Sequence, residues 1–431
     1  MLNKKLAVSL ILPLLFLLSR FSLSAQNNTG VLSRAPGDNL EMKLAVMGPG
    51  NQLYFWFGHI GLVVENKNTG KARYYDWGVF SFEDDNFFYD FAFGRLLYSC
   101  MVSPADVNYK NYIYYQRDIT LYTLDLPADV KMKILRLAEN NILPENRDYY
   151  YHFFKDNCAT RIRDIVDLGL DGKFREKYGN APGRYTLRQH IRRHTWFSPF
   201  FDWVLNFWMG QVIDKPITVW DEMFLPSEIA RRISEFSYVA ADGQERPLVS
   251  SVEVVHRSVG RPAVLEVPRL QWPRELMFSL LFSAAILFSY WRFGNRKSFT
   301  ISLGLLQSML GIFFGAIGSI LFFMSFFTDH DYTFENSNIF FVNPFFFALI
   351  PLGLLFAFSK SPKKRFVSGW LMRLFWTYVL LGGLLTMVIK LFPGFYQQNQ
   401  VDQALVLPLA LAMIFITAKA GKGIAAGDKR T

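Results

Sequence analysis

Cys158 is the residue in this chain best placed by its neighbours to act as a nucleophile. It follows the run Tyr151-His152-Phe153-Phe154-Lys155-Asp156-Asn157. Cys158, Ile162, Ile165, Val166 and Gly169 then recur at the i, i+4, i+7 spacing of an amphipathic helix. Asp156 or Asn157 serves as N-cap. The thiol therefore falls in the first turn, where free N–H groups and the helix dipole favour an anion and lower a thiol's pKa. The same pattern also fits a plain core cysteine, because free Cys is among the most buried residue types. A base decides between the two, and His59 is the candidate, about a hundred residues upstream between Gly58 and Gly61. Glycines on either side of a strand histidine open the backbone for a close neighbour. A thiol on a helix start, an imidazole on a sheet and a carboxylate orienting that imidazole form the cysteine version of the catalytic triad. Asp76 is the carboxylate expected beside His59.

The elements that must position these groups can be read locally. Phe57 to Glu65 is strand-like, Asn66-Lys67-Asn68-Thr69-Gly70 signals a turn, and Lys71 to Trp77 is the return strand. Folding the hairpin about Lys67 or Asn68 sets Asp76 opposite His59 or one place off. Residues 112–126 suggest another strand, Ala128 to Asn141 a helix ending before Pro144, and residues 243–270 short strands. Cys100 lies in the strand-like run Leu97-Tyr98-Ser99-Cys100-Met101-Val102 and reads as core. Residues 196–208 are dense in aromatics and read either as a core helix or as a segment meeting a bilayer.

The two ends of the chain point to export and a membrane. Residues 1–25 carry Lys4 and Lys5, an apolar run from Leu6 to Leu18 and the cleavage-like Leu23-Ser24-Ala25, the pattern of a secretory signal peptide. Residues 26–270 read as an exported globular domain and 271–431 as a membrane domain. Apolar stretches at about 276–291, 299–327, 339–358, 371–391 and 404–418 are near or above spanning length. Arg292, Arg296 and Lys297 lie in the first loop, Lys360, Lys363, Lys364 and Arg365 in the third, and Lys419, Lys422, Lys429 and Arg430 in the tail. The second loop, Thr328 to Asn338, and the fourth, Pro393 to Gln403, have neither Lys nor Arg. By the positive-inside rule the tail is cytoplasmic and the domain carrying Cys158 is outside. The expected location is the cytoplasmic (inner) membrane, multi-pass.

Composition narrows the function. The formal net charge of +10 comes from scattered or loop-flanking residues with no base-reading motif, so nucleic acid is not the partner. Two cysteines, Cys100 and Cys158, exclude a disulfide framework, though one bridge between them is compatible with the sequence. Zinc-ligand spacing, a phosphate-cradling glycine loop and a serine elbow are absent, and the chemistry outlined needs no cofactor. Asp329-His330-Asp331 resembles part of a metal site but lacks a fourth ligand; His330 and Asp331 read instead as bordering substrate. Arg161 and Arg163 either hold a lipid phosphate or pair with Asp164 and Asp167. His152 reads as packed, His190 and His194 as lying on a solvated basic helix face.

The order of a strand His before a helix-start Asn-Cys resembles circularly permuted relatives of the papain-like NlpC/P60 peptidases, including acyltransferases that work through a cysteine thioester. The chain is more closely similar to the exported bacterial family of the lipoprotein N-acyltransferase Lnb. The residues that carry this are Phe57-Gly58-His59, Tyr75-Asp76-Trp77-Gly78 with Phe80 and Phe82, Asp156-Asn157-Cys158 with Arg161 and Asp164, and Met223-Phe224-Leu225-Pro226; Asp329-His330-Asp331 and Asn343-Pro344-Phe345 extend it into the membrane part. The resemblance implies an α+β permuted papain-like domain followed by an all-α bundle of about five transmembrane helices. It implies an acyltransferase moving an acyl chain from a membrane phospholipid to the α-amine of a diacylated lipoprotein. Cys158, His59 and Asp76 would be catalytic, backbone N–H groups at the helix start would hold the oxyanion, and Asn157, Arg161, His330 and Asp331 are candidate substrate-binding residues. A cell-wall cysteine peptidase, a phospholipase and a non-enzymatic membrane receptor are the alternatives.

Overall fold

Alternating buried and half-buried residues build the central sheet of the exported domain, seen in a computed structural model that describes residues 37–81, 86–240, 243–260, 262–269 and 271–427, with side chains as far as 418. The expected signal segment at 1–25, Phe82 and the basic tail side chains lie outside the described residues. Seven strands form the sheet: β1 (Leu40–Met47), β2 (His59–Asn66), β3 (Lys71–Val79), β4 (Leu97–Pro104), β5 (Ile119–Leu124), β6 (Asp148–Tyr150) and, last in the chain, the long strand Val249–His256. All its pairings are antiparallel, in the order β6-β4-β3-β2-β1-β5 and then the last strand. Between β5 and that last strand, β7 (Ser237–Val239) and β8 (Glu245–Pro247) form a separate two-stranded ribbon, so the last strand is β9.

Helices cover both faces. The helices of this domain, in chain order, are α1 (Phe87–Phe93), α2 (Ala105–Tyr114), α3 (Ala128–Asn141), α4 (Cys158–Gly169), α5 (Lys173–Tyr178), α6 (Leu187–Thr195), α7 (Pro199–Trp208), α8 (Val219–Glu222) and α9 (Pro226–Ser234). Neighbouring residues of a strand point to opposite faces. Tyr74 packs in one cluster with Tyr112 of α2, while Tyr75 Oη donates to Glu139 of α3 at 2.6 Å. Thus α2 and α3 lie on opposite faces. Helix α4 packs against α3, β2 and β3, burying Ile162, Ile165 and Val166, each worth about 1.5–3 kcal/mol when fully removed from water. The expected strand at 112–126 is shorter than its span, because α2 runs through Tyr114 and pairing begins at Ile119.

Among the described residues, the membrane domain has five segments long and apolar enough to cross a bilayer. Its helices are α10 (Trp272–Phe293), α11 (Lys297–Phe327), α12 (Leu349–Phe358), α13 (Pro362–Ile389) and α14 (Gln400–Gly427). The third span differs from its expected form. It runs Ser337–Phe358, but begins as short 3-10 turns before α12 because Pro344 opens a new turn capped by Asn343. Irregular backbone at membrane depth is tolerated where protein covers it. Here Gly318 of α11 lies so close to Asn343 that an added Cβ would be 2.6 Å from its backbone.

Helix α7 settles the reading of residues 196–208. Phe207 is buried in the membrane-domain core with Phe314 and Phe341, and Trp203 Nε1 donates to Asp402 Oδ1 of α14 at 2.9 Å. Asn336 and Asn338 Nδ2 both donate to Phe207 O, at 2.9 and 3.0 Å. Gln397 Nε2 donates to Met209 O at 3.3 Å, and its Oε1 accepts from Ser337 N at 2.7 Å. The aromatic helix is therefore a core helix of the joint between the two parts. Both loops that lack Lys and Arg meet the exported domain through this joint, so the basic loops lie at the far ends of the helices. Chains truncated after Asn336 or Gln400 and fused to a compartment reporter are expected to read as exported, and those truncated after Arg296 or Lys364 as cytoplasmic; a cytoplasmic signal at Asn336 would overturn this topology.

Candidate active site

Helix α4 starts where Asn157 stops the chain from continuing extended. Asn157 is the N-cap, with extended backbone. Its Oδ1 accepts from Ala159 N at 2.8 Å and Thr160 N at 2.9 Å, and Thr160 Oγ1 accepts in return from Asn157 N at 2.8 Å. This is a complete capping box. Asn157 Nδ2 donates to Phe153 O at 2.8 Å and Phe224 O at 3.1 Å. The carboxamide is thus fully committed to the protein, and Asn157 positions the helix rather than offering a polar group to substrate. The expected set of oxyanion donors narrows in the same way. The cap takes the N–H groups of Ala159 and Thr160, leaving the N–H of Cys158 itself in the first turn, at the positive end of the dipole.

His59 sits at the first position of β2, and its Nε2 lies 2.8 Å from Asp76 Oδ1. A carboxylate only accepts, so Nε2 carries the proton and Nδ1 is the nitrogen left for a thiol or substrate. The register differs from the expected one. Leu62 pairs with Tyr75 and Val63 with Tyr74, so continuing the ladder puts Gly78, not Asp76, across from His59. Asp76 is two places along, which keeps it on the same face; a one-place offset would have put the two side chains on opposite faces. The turn is longer than a symmetric fold about Lys67 or Asn68, because Gly70, with φ of +65°, closes it by donating to Asn66 O at 2.8 Å.

Gly78 is a site residue whose role the sequence did not reveal. A Cβ there would lie 2.4 Å from His59 Cε1, so only glycine lets the imidazole rest where Asp76 can hold it. Its N–H also donates to Asp76 Oδ1 at 2.7 Å. Burial opposes the charge on His59, but Asp76, Tyr112 and the Cys158 thiol together hold its pKa well above the usual histidine value. Burial likewise works against ionised Asp76, and His59 and the Gly78 N–H outweigh it, leaving that pKa below the ordinary carboxylate value. The Cys158 thiol is buried, at the start of a helix that packs against β2 and β3, the strands that carry His59 and Asp76. No hydrogen bond joins thiol and imidazole among the described residues; catalytic bonds of this kind commonly tighten around substrate.

Asp76→Asn separates charge from geometry, because the bonds from His59 and Gly78 both end on Oδ1, which a carboxamide oxygen also supplies. His59 retains its proton above pH 6.5 because its pKa is raised. Without the carboxylate that pKa falls, so the acid form disappears at lower pH. The alkaline limb of the Cys158 acylation rate is expected to move to lower pH, and a limb that moves by about one pH unit lowers the rate at pH 8 by about tenfold. An unmoved limb contradicts the role given to Asp76.

Both cysteines are free thiols, so no bridge competes with a nucleophile at Cys158. Burial, with the Asp76 charge, pushes the Cys100 thiol up to about 12, which keeps it protonated and inert at neutral pH. Arg161 forms a two-pronged pair with Asp156, Nε to Oδ1 at 2.5 Å and Nη2 to Oδ2 at 2.7 Å, and lies over the Tyr149 ring. Arg163 donates to Asp164 at 2.8 Å and to Trp220 O at 2.9 Å. Both guanidiniums are engaged by the protein itself.

Asp329, His330 and Asp331 diverge to separate partners in the exported domain instead of converging on one ion. Asp329 pairs with Arg95 at 2.7 Å, and its backbone N donates to Phe93 O at 2.8 Å. His330 Nε2 donates to Phe91 O at 3.0 Å, and its Nδ1 accepts from Tyr332 Oη at 2.7 Å. Asp331 accepts from His152 Nε2 at 2.8 Å and from Lys155 Nζ; with His152 first, these hold its pKa down to about 2. Because His152 and Lys155 belong to the run that ends at Cys158, this loop fastens the membrane domain to the segment that carries the thiol.

The reading of His190 and His194 as solvated is also corrected. Helix α6 is buried together with Arg188, Arg192 and Arg193. Arg188 pairs with Asp214 at 2.8 Å, Arg193 with Glu228 at 3.1 Å, and His190 Nε2 donates to Glu222 at 3.1 Å. Burial lowers the His194 pKa to about 4. The carboxylates that neutralise the helix come from later elements, which is why its own sequence reads as a wet face.

Comparison with known families matches both parts of this architecture. The model of the Lnb N-terminal periplasmic domain matches residues 31–193, and that of the Lnb transmembrane domain matches residues 271–420. The chain belongs to the Lnb family. It is accordingly a multi-pass membrane protein whose thiol-bearing domain is periplasmic. No curated protein and no solved structure matches the chain.

Proposed function

We propose that this Lnb-family chain is a lipoprotein N-acyltransferase with Cys158 as its nucleophile. The observation that carries the reading is a thiol that opens a helix packed against the two strands holding an Asp76-oriented imidazole, on a domain pinned to a bundle of membrane-spanning helices. The thiolate attacks an ester carbonyl of a phospholipid, and the Cys158 N–H holds the oxyanion. The bond between the acyl carbon and the ester oxygen breaks as the thioester forms, His59 gives its proton to the departing glycerol alkoxide, and lysophospholipid leaves. In the second half the acceptor amine attacks the thioester carbonyl, the C–S bond breaks, and His59 takes the amine's excess proton as the thiolate is restored.

The chemistry favours an N-terminal acceptor. A nucleophilic amine must be neutral. An α-amine with a pKa of about 7.7–8.0 is neutral to roughly a tenth or more near pH 7, whereas lysine, at about 10.4, is neutral only to the order of one part in a few thousand. A diacylated lipoprotein held in the same membrane also meets the thioester at high effective concentration. Intact-mass measurement after incubation with phospholipid vesicles tests the first half. One acyl mass removed by neutral hydroxylamine and absent from Cys158→Ser is expected; acylation elsewhere, or none, rejects the thiol mechanism.

A further inference from the structure

Helix α1 presents an unusual surface for a domain bathed in water. Phe88 is 64% exposed, Tyr89 58% and Phe91 49%, three aromatic residues on one short helix. Its height relative to the membrane is fixed by its contacts. Phe93 at its end packs edge-on against Phe323 of α11 with ring centroids 5.4 Å apart, and Phe91 O and Phe93 O are both bonded by the 329–331 loop. Phe323 lies four residues before Phe327, where α11 ends, about 6 Å along the axis at 1.5 Å per residue. Thus α1 stands level with the last turn of a spanning helix whose own Phe326 and Phe327 are exposed. Aromatic rings favour that depth, the boundary between headgroups and chains.

From the same helix a series of rings leads inward. Phe87 stacks with Phe80 at 6.1 Å, Phe80 with Tyr98 at 4.9 Å, and Tyr98 with Tyr151 at 4.1 Å. Tyr151 packs edge-on against Phe153 at 5.4 Å, and Phe153 O accepts from Nδ2 of Asn157, the cap of the helix that Cys158 opens, at 2.8 Å, so the series ends in the segment that carries the thiol. We infer that α1 rests in the periplasmic-side leaflet, and that a phospholipid of that leaflet enters along Phe87, Phe80, Tyr98 and Tyr151 to present its ester to Cys158. The route rests on the proposed thiol chemistry; the seating of α1 in the bilayer does not. The occupant is a lipid because the outer end of the path is continuous with the lipid-facing surface of α11. The flat rings flank an acyl chain without offering it a charge, which suits a ligand that must leave the bilayer only partly.

Two measurements on the full-length protein in vesicles of phosphatidylethanolamine and phosphatidylglycerol test this. The first follows Cys158 acylation from the vesicle lipid and from p-nitrophenyl butyrate, a water-soluble ester that needs no path from the bilayer. In Phe88→Asp the ratio of vesicle to soluble-ester rate is expected to fall at least tenfold, and Phe88→Leu to restore it. An unchanged ratio overturns the route. Loss of both reactions in the parent protein rejects the thiol mechanism instead, so the two failures are distinguishable. The second places a nitroxide at Phe88→Cys in a background with Cys100→Ser and Cys158→Ser. Collisions with oxygen are expected to dominate over those with a water-soluble nickel chelate; dominance of the chelate puts α1 in water and overturns its seating in the bilayer.

Discussion

Cys158→Ser and His59→Ala are each expected to lower the acyl-transfer rate by about a thousandfold or more, with the protein still accumulating in the membrane, because members of a nucleophile–base unit lose most of its rate enhancement when either is removed. Neither side chain supports the fold in a way that predicts collapse. Cys158 contributes one small buried group ahead of the Ile162, Ile165 and Val166 stripe, and the cap that starts its helix belongs to Asn157. Serine at 158 retains the shape and the backbone N–H but not the sulfur nucleophile. Near-normal activity in Cys158→Ser would remove the mechanism. Cys100→Ser is the control and should behave as wild type, since that thiol is buried and held protonated.

Gly78→Ala is the second large effect, of about a hundredfold, the scale on which a misplacement of about 1 Å reduces catalysis. The added methyl would stand 2.4 Å from His59 Cε1 and 3.2 Å from Nδ1, so the ring must swing away. Because Nε2 is tied to Asp76, the movement falls on Nδ1, the nitrogen that faces the chemistry. The backbone N–H of residue 78 still reaches Asp76, so the sheet should persist. Turnover and thermal unfolding measured together separate the two effects: activity falls while the melting temperature stays within a few degrees. Full activity would show that His59 has room the structure does not give it.

The sequence made the proposed reacting groups legible because each announces itself by type and local spacing. Cys158 opens a helical stripe, His59 stands between glycines on a strand, and Asp76 lies on the return strand. Neither the parity nor the offset of the hairpin was readable, since a register depends on how Gly70 closes the turn. Gly78 was visible as part of Tyr75-Asp76-Trp77-Gly78, yet its purpose is a property of what lies over it in space. Long-range pairing was hidden for the same reason. His152 meets Asp331 across 179 residues, and the charges of α6 are neutralised by Asp214, Glu222 and Glu228 on later elements. The membrane spans were readable from apolar length and loop charge. The break at Asn343-Pro344 was present in the sequence as a cap followed by a proline and was masked by the unbroken apolarity around it.

Acyl transfer itself is tested most directly with the purified protein in liposomes carrying phospholipid labelled in its acyl chain, together with a diacylated lipopeptide. The account predicts label on the lipopeptide's α-amine, lysophospholipid appearing in step, and neither in Cys158→Ser. Water competes for any thioester, so the shelter given by bilayer and bundle must be effective for the amine to win. Labelled free fatty acid as the main product, with the lipopeptide unmodified, would contradict the account and make the chain a phospholipase.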